Sequence, residues 1–308
     1  MNLQPSNPPT LQSSVFIDYA RYYDLLYHDK DYPAEADYVD SLIRRFCPEA
    51  RSILELGSGT GKHAILLASK GYEVVGVELS EQMLSLAHKN ASNPPTFQSS
   101  NLPTLQPSNP LTLQPSNPLF LRGDIRSIRL NRTFDAVIAL FHVISYQTTN
   151  EDVLASFRTA YNHLNPGGIF IFDIWYGPAV LTQRPQVRMK RVEDKSMEII
   201  RIAEPQMRPN ENLVDVHYQV FIINKETQQT QQTQQTQQTQ VTQQTQLTQQ
   251  TQQTQLTQET HTMRYFFKPE IELFASQAGF KVLLAEEWLT GAQLGTSTWS
   301  ACFCLKCI

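Results

Sequence analysis

Three glycines at alternate positions follow a short apolar run in the segment LELGSGTGKH, which extends from Leu54 to His63. Gly57, Gly59 and Gly61 allow the backbone to turn sharply and to approach a ligand closely, and a helical pattern, GKHAILLASK, follows. A strand, a glycine turn and a helix in this order are typical of the ligand-binding edge of a doubly wound α/β sheet. The segment therefore predicts a ligand at the carboxyl end of the first strand.

Two repetitive tracts interrupt the rest of the chain. A proline-rich insertion occupies 91–118, where units such as SNPPTFQS and SNPLTLQP recur, and a related low-complexity tail occupies 1–14. Proline at this density disfavours a helix or a central strand. A Thr/Gln repeat over 227–260 contains too little apolar surface to offset its ordering entropy, so we expect a loop there.

Without these tracts, short β-branched runs alternate with helical patterns, which indicates an α/β fold. The core is assigned to 15–180, with the strands SILELG, EVVGVEL, LFLRGD, FDAVIALF and GIFIFDIW. Ser80 is predicted as the N-cap of the helix SEQMLSLAHKNA, and the helix NEDVLASFRTAYNHLNPGG is expected to stop at its Pro-Gly-Gly.

The pattern changes in residues 181–268, which are predicted to form a lid. NLVDVHYQVFIINKE and THTMRYFF alternate as two strands of a hairpin, with the Thr/Gln repeat at its tip. Residues 269–308 return to the core sheet: the helix PEIELFASQAGF ends at Gly279, and the strands KVLLAEEW and WSACFCLK follow.

Charge and composition exclude several classes of protein. A net charge of -4 supplies no global field for nucleic acid or an anionic membrane. No apolar run approaches the ~20 residues that span a bilayer, and MNLQPSNPPTLQSS lacks the features of a signal peptide, so a cytosolic location is expected. Cys302, Cys304 and Cys307 are interpreted as part of a buried edge or terminal strand, and no metal site is predicted.

The glycine loop departs from the two common nucleotide-binding motifs. A P-loop requires four residues between its glycines and a Ser or Thr after the Lys, whereas three residues separate Gly57 from Gly61 and His63 follows Lys62. A dinucleotide fingerprint would need a glycine where Lys62 stands. The loop thus disfavours both Walker-type hydrolysis and NAD binding.

Carboxylates follow three neighbouring strands. Glu55 precedes the first glycine, Glu78 ends the second strand and Asp124 follows the third. A carboxylate at the second position can accept hydrogen bonds from both ribose hydroxyls, and one at the third can accept from an exocyclic adenine amine. Nothing in the pattern serves a diphosphate or Mg²⁺, so it describes a nucleoside that carries no phosphate.

The segments ILELGSGTGKH, VVGVELSEQML, GDI and FDAVIALF…LNPGGIFIFDIW together resemble the class I S-adenosylmethionine-dependent methyltransferases, over about Tyr19 to Lys306. The resemblance implies a Rossmann-like seven-stranded sheet whose last strand is antiparallel, with S-adenosyl-L-methionine as cofactor. By the same resemblance the cofactor-binding residues are Tyr23, Tyr32, Glu55, Gly57, Ser58, Gly59, Gly61, Glu78, Leu79, Met83, Asp124, Ile125 and Leu140.

Within that family the chain is most similar to bacterial N-methyltransferases of nucleotide-linked amino sugars. The likeness lies in YYDLLYHDKDYPAEA, DVHYQVF with THTMRYFF, and LFASQAGF. It implies that Tyr23, Tyr27 and Tyr32 line the pocket and that Tyr146 stands where such enzymes place a proton-handling histidine. Two features differ from that group. Position 146 carries a tyrosine instead of a histidine, and no glycine-rich segment leads into the last strand.

Methyl transfer from a sulfonium depends mainly on positioning, and an amine acceptor must also lose a proton. His142, directly after the fourth strand, is the side chain best suited to accept it near pH 7. The catalytic candidates are therefore His142, Tyr27 and Tyr146. Leu140-Phe141-His142-Val143 stands where nucleic-acid and protein-amide methyltransferases carry Asp/Asn-Pro-Pro-Tyr, which favours a small acceptor.

The expected partner is thus a small-molecule methyl acceptor with an amino or hydroxyl group, such as a sugar or nucleotide sugar, with no nucleic acid and no membrane. The oligomeric state is left open, a homodimer included. One alternative is a catalytically silent cofactor-binding or interaction module, which the repetitive tracts motivate. Another is nicotinamide-dependent oxidoreduction, which rests on the glycine loop alone.

Overall fold

The computed structural model describes residues 22–94, 117–225 and 254–308. The low-complexity tail, most of the proline-rich insertion and most of the Thr/Gln repeat lie outside the described residues. Residues 22–26 are helical, and the further α-helices are α1 (Tyr32–Phe46), α2 (Lys62–Ser69), α3 (Glu81–Ser92), α4 (Asn150–Asn162), α5 (Gly177–Gln183) and α6 (Lys268–Ala278). Two 3₁₀-helices occupy Val143–Tyr146 and Pro209–Glu211.

The strands of the described residues form one mixed sheet. Their bounds are β1 (Ser52–Leu56), β2 (Glu73–Glu78), β3 (Leu119–Arg122), β4 (Phe134–Ala139), β5 (Leu164–Tyr176), β6 (Arg188–Glu193), β7 (Met197–Arg208), β8 (Leu213–Asn224), β9 (Thr254–Phe266), β10 (Phe280–Glu287) and β11 (Ser300–Cys307).

The parallel pairing of five strands determines which edge of the sheet carries the predicted ligand site. β1 lies between β2 and β4, β3 pairs with β2, and β5 pairs with β4, all in parallel. The carboxyl ends of these five strands therefore meet at one edge, where the glycine loop follows β1. β11 runs antiparallel to both β5 and β10, which confirms the predicted antiparallel last strand and the α/β class.

Both faces of the sheet are covered, because successive side chains of a buried strand point to opposite sides. On β5, Phe170 and Phe172 join one apolar cluster, which Phe157 of α4 and Phe274 of α6 complete. The intervening Ile171 joins a second cluster on the α1 and α2 side. Helices on both faces are the doubly wound arrangement that the alternating sequence predicts.

The sheet is larger than the predicted seven strands. Hydrogen bonding joins eleven strands of the described residues, because β9 pairs with Trp175 and Tyr176 at the end of β5 and continues into β8, β7 and β6. β8 and β9 pair antiparallel, as the predicted hairpin strands do, and β6 and β7 extend this pair to four strands, which together are called the lid. Its first two strands were missed because RMKRVE and MEIIRIAEPQMR carry charges along half-exposed faces and do not alternate cleanly.

Three boundaries also differ from the sequence prediction. α4 ends at Asn162, and β5 begins at Leu164, so the Pro-Gly-Gly belongs to the strand rather than to the helix stop. β9 begins at Thr254, so the last copies of the Thr/Gln repeat are strand and not loop. Cross-strand pairing with β8 explains the second difference, since backbone hydrogen bonds do not depend on an apolar side chain.

The cysteine-rich terminus forms β11, which lies inside the sheet between β5 and β10 and not at an edge. Cys302 and Cys304 are fully buried there, and burial raises the pKa of the Cys304 thiol to about 12. The part of the chain that the structure describes contains no cluster of metal-ligating side chains. None of the helices in the described ranges is long and apolar enough to cross a membrane.

Candidate active site

A cavity of about 390 Å³ opens at the carboxyl ends of the parallel strands, beneath the lid. All but two of the predicted site residues line it. Those present are Tyr23, Tyr27, Tyr32, Gly57, Ser58, Gly59, Glu78, Leu79, Met83, Asp124, Ile125, Leu140, His142 and Tyr146. Elements far apart in sequence therefore converge on one site.

The glycine loop presents its backbone to this cavity. The N–H groups of Gly57 and Ser58 donate to the carbonyl oxygen of Val77, at 2.8 and 3.0 Å, which anchors the loop to the end of β2. Gly57 and Gly59 adopt left-handed φ angles of 75° and 54°, a conformation that favours glycine. A Cβ atom on Gly57 would lie 2.6 Å from a methyl carbon of Val143.

Glu78 is held at the end of β2 by two backbone donors. Its Oε2 accepts a hydrogen bond from Gly59 N–H at 2.9 Å, and its Oε1 accepts one from Ser80 N–H at 2.8 Å. Burial raises the pKa of the carboxyl, although these backbone donors act in the opposite direction. The carboxylate is fixed in orientation and retains lone pairs that can accept from a ligand hydroxyl.

Asp124 lies at the end of β3 in an ionic network. Arg126 donates to both carboxylate oxygens, with Nη2 2.6 Å from Oδ2, and extends to Asp152 at 2.9 Å. Burial opposes ionisation of Asp124, but the hydrogen bonds from Arg126 outweigh it and lower the pKa. The group is therefore an ionised hydrogen-bond acceptor at the cavity wall.

Glu55 and Gly61, the other two residues that the resemblance implies for the cofactor, lie behind the cavity lining. Glu55 is buried behind the loop, 3.7 Å from Nδ1 of His63, and accepts a hydrogen bond from the backbone of Ala64. Burial, reinforced by the charge of Glu78, raises the pKa of Glu55 to about 8. Gly61 has a left-handed φ of 78° and begins α2. Both residues shape the loop from behind rather than face the ligand.

The site fits the chemistry of a nucleoside sulfonium. Glu78 and Asp124 supply acceptors at the positions expected for ribose hydroxyls and an adenine amine. The hydroxyl of Ser58 is buried in the cavity wall and has no hydrogen-bond partner among the described residues, so it is free to contact a ligand. The rings of Tyr23 and Tyr27 lie 4.7 Å apart between centroids, with their planes tilted by 50°, and offer aromatic surface to a cation.

His142 follows β4 in a strained backbone conformation. Phe141 and His142 have consecutive φ angles of 64° and 62°, in the left-handed region that non-glycine residues rarely adopt. Asp173 stabilises this turn, because both its carboxylate oxygens accept from His142 N–H, at 3.1 and 3.2 Å. Its Oδ2 also lies 2.7 Å from Nδ1 of His142. Nδ1 has no hydrogen-bond partner among the described residues, so Asp173, which is 2 % exposed, orients the imidazole through the backbone turn and through its charge.

Tyr146 also has an unpredicted partner. Its hydroxyl oxygen lies 2.8 Å from Nδ1 of His261 on β9, and Nε2 of His261 lies 3.2 Å from Oε2 of Glu259.

The sequence analysis missed Asp173, Glu259 and His261, although each carried a signal. Asp173 interrupts the apolar run of β5, and Glu259 and His261 break the Thr/Gln pattern at alternate positions of a strand.

A second cavity of about 410 Å³ adjoins the first, and His142, Trp175 and Tyr218 line both. Its wall includes the cationic side chains of Arg188, Lys190 and Arg201 from the lid. A ligand that reached from one cavity into the other would place one end beside His142 and the other among these cations.

Comparison with known proteins agrees with this geometry. Residues 53–168 match the family model described as a methyltransferase domain. The chain is 30% identical, over 206 residues, to dTDP-3-amino-3,4,6-trideoxy-alpha-D-glucopyranose N,N-dimethyltransferase of Streptomyces venezuelae, covering 66% of this chain and 76% of that protein.

Two solved structures share the fold. Streptomyces venezuelae DesVI superposes with a TM-score of 0.67 at 23% identity, covering 95% of this chain and 99% of that one. The amino pentose methyltransferase CalS10 of Micromonospora echinaspora, solved with S-adenosylmethionine bound, gives a TM-score of 0.64 at 20% identity and covers 99% and 100% of the two chains.

The chain belongs to the S-adenosylmethionine-dependent methyltransferases. The predicted enzyme class and its cofactor, S-adenosyl-L-methionine, are thereby confirmed. When bound, the cofactor supplies an electrophilic methyl group on a sulfonium. The glycine loop, Glu78 and Asp124 are the groups of this chain that would hold it.

Proposed function

We propose that the protein methylates the amino group of a nucleotide-linked amino sugar. The observation that carries this proposal is the pair of adjoining cavities, in which His142 stands between the cofactor side and a cationic compartment. The Streptomyces venezuelae relative acts, by its name, on a dTDP-linked amino sugar. A sugar amine beside His142 and a diphosphate farther out match the two compartments in order.

The cationic compartment suits a diphosphate. Lys190 and Arg201 project from neighbouring strands of the lid, and Arg188 begins β6. Lys190 is oriented by Asp29, with Nζ 2.8 Å from Oδ1, and Arg201 donates to the hydroxyl of Tyr27 at 3.1 Å. Guanidinium groups bind phosphate oxygens with strong, charge-assisted hydrogen bonds. The compartment therefore favours a nucleotide-linked sugar over a free one.

Methyl transfer to an amine requires alignment of the reacting atoms and removal of a proton. The cavity must align the amine nitrogen with the methyl carbon and exclude water, a contribution worth up to ~7–11 kcal/mol in favourable cases. As the nitrogen lone pair forms the N–C bond and the S–C bond breaks, the nitrogen becomes positively charged. His142, oriented by Asp173, accepts the proton that the methylated nitrogen then releases. An amine is favoured over a hydroxyl because its lone pair needs no stronger base.

The test is methylation of dTDP-3-amino-3,4,6-trideoxy-D-glucose in the presence of S-adenosylmethionine, followed by mass spectrometry, beside the same sugar without its nucleotide. We expect the nucleotide-linked sugar to gain methyl groups and to be strongly preferred. Arg201→Gln should raise KM for that acceptor, whereas Arg191→Gln, on the same lid but outside both cavities, should not. Equal turnover of the free and linked sugars, or methylation of neither, would contradict the proposal.

A further inference from the structure

A chain of buried polar groups leads away from the cavity through Tyr146, His261 and Glu259, which we call the relay. The hydroxyl oxygen of Tyr146 is 2.8 Å from Nδ1 of His261, and Nε2 of His261 is 3.2 Å from Oε2 of Glu259. The hydroxyl of Tyr22 donates to Oε1 of Glu259 at 2.6 Å. His261 is 3% exposed and Glu259 is 8% exposed, so the relay is screened from bulk solvent.

The order of these groups fixes the tautomer of the imidazole. A carboxylate oxygen accepts, and Oε2 of Glu259 faces Nε2 of His261, so this geometry assigns Nε2 as the donor. Nδ1 is then unprotonated and accepts from the hydroxyl of Tyr146. The phenol can pass its proton along this bond only when it receives another proton on the cavity side.

The groups packed against His261 support this assignment. They include Tyr146 from the 3₁₀-helix, Tyr218 from β8, whose ring lies edge-on at 4.9 Å, and Glu259 on its own strand. Arg201 of β7 stands 5.0 Å from the Tyr218 ring. Burial raises the pKa of Tyr146 well above its usual value and that of Tyr218 to about 12. Both phenols are therefore neutral, and Tyr146 alone is a poor base.

We infer that the relay removes the proton from the acceptor's ammonium group before methyl transfer. In this step the N–H bond of the ammonium breaks and frees the nitrogen lone pair, and the proton bonds to the oxygen of Tyr146. The original hydroxyl proton of Tyr146 moves to Nδ1 of His261, which becomes an imidazolium beside the carboxylate of Glu259. The inference rests on the proposed function, since it requires an amine acceptor.

Two proton acceptors are needed because a cycle that begins with an ammonium and ends with a neutral methylated amine releases two protons. His142 has a side chain that is 23% exposed and lines both cavities, so it can return its proton to water within the cycle. His261 and Glu259 are buried, and Tyr146 connects them to the cavity that it lines. The relay therefore takes up one proton as each acceptor binds, whereas His142 takes the later one.

The first test needs no acceptor. In ¹⁵N-labelled protein, long-range ¹H–¹⁵N correlation spectra report which ring nitrogen of each histidine carries the proton, and His261→Gln identifies the signals of His261. We expect the Nε2–H tautomer near neutral pH. A proton on Nδ1, or on both nitrogens, would overturn the inference, because His261 could then not accept from Tyr146.

The second test measures kcat/KM across pH with the nucleotide sugar named above. Tyr146→Phe and His261→Gln should each lower it by about 100-fold at pH 7. The loss should shrink by about tenfold per pH unit as the acceptor arrives already deprotonated. The affinity for S-adenosylhomocysteine should change by no more than about twofold. His217→Gln, at a half-buried histidine of β8, and Tyr265→Phe, at a buried tyrosine of β9, are matched controls, since neither residue lines the cavity.

The outcomes separate the two proposals. If the wild-type enzyme leaves the sugar unmethylated, the proposed acceptor fails, and the tautomer of His261 still decides the geometry of the relay. If the wild-type enzyme methylates it and the variants lose the same factor at every pH, or lose nothing, the relay is a structural feature of the lid and the inference is wrong.

Discussion

Replacing Gly57 with alanine should lower the free energy of unfolding for two reasons, which a comparison with Gly59 separates. The first is the left-handed backbone, with φ at 75°, which costs about 1–2 kcal/mol for a residue that has a Cβ atom. The second is a collision, because the new Cβ would lie 2.6 and 2.8 Å from the two methyl carbons of Val143. Overpacking of this kind costs about 1–3 kcal/mol. Gly57→Ala should therefore destabilise the protein by about 2–5 kcal/mol.

Gly59 provides the matched control. Its φ is also left-handed, at 54°, but a Cβ there would meet no atom within 4 Å. Gly59→Ala should thus cost only the backbone component, about 1–2 kcal/mol. Val143→Ala removes the colliding methyls, so it should recover part of the loss in Gly57→Ala and none of the loss in Gly59→Ala.

Urea unfolding of the wild type, the three single variants and the two double variants, without ligand, gives these free energies of unfolding. The expected coupling between positions 57 and 143 is about 1–3 kcal/mol, and that between 59 and 143 is close to zero. Equal couplings for the two glycines, or none for either, would refute the account of how the loop packs on the 3₁₀-helix.

Three further results are expected. The pKa of Glu55 is raised from 4.5 to about 8 on folding, so its protonation stabilises the protein below pH 4.5, and that stability is lost as pH rises toward 8. Glu55→Gln should remove this pH dependence of the melting temperature. Melting temperatures that change with pH in the same way for both proteins would argue against it. Asp173→Asn should lower turnover by about 100-fold with little change in affinity for S-adenosylhomocysteine, because the imidazole of His142 loses its orienting carboxylate; unchanged turnover would assign the pair to structure. Ile223 and Thr254 pair directly across β8 and β9, so replacing 227–253 with a short turn should leave cofactor affinity unchanged by calorimetry; a loss of affinity would give the Thr/Gln repeat a role in the site.

The sequence predicted the parts of the fold that local pattern determines. Ser80 caps α3 and accepts from Met83 N–H, and Gly279 ends α6 with a left-handed φ of 89°, both as expected. The glycine loop, Glu78 and Asp124 meet at one edge because parallel strands end together. These features depend on residue type and spacing, which a single sequence displays.

The missed features depend on distant contacts. Glu55, which the resemblance implies for the cofactor, lies behind the glycine loop beside His63, a placement that depends on the pairing of β1 with β2 and β4. β6 and β7 were missed because cross-strand pairing, rather than apolar alternation, defines them. Asp173 and His261 acquire roles only when β5 and β9 meet the segment after β4. The cytosolic location and the absence of a nucleic-acid partner stay predictions.

The central claim is that the edge of the sheet binds S-adenosylmethionine through Glu78, and calorimetric titration with S-adenosylhomocysteine tests it most directly. The wild-type protein should bind with a Kd in the micromolar range. Glu78→Ala should weaken binding by about 10- to 100-fold, the equivalent of lost hydrogen bonds to a charged acceptor. Glu81→Ala removes an exposed carboxylate three residues away, paired with Arg122 outside the cavity, and should bind as the wild type does. Equal affinities for all three proteins, or no binding by a folded wild-type protein, would contradict the account.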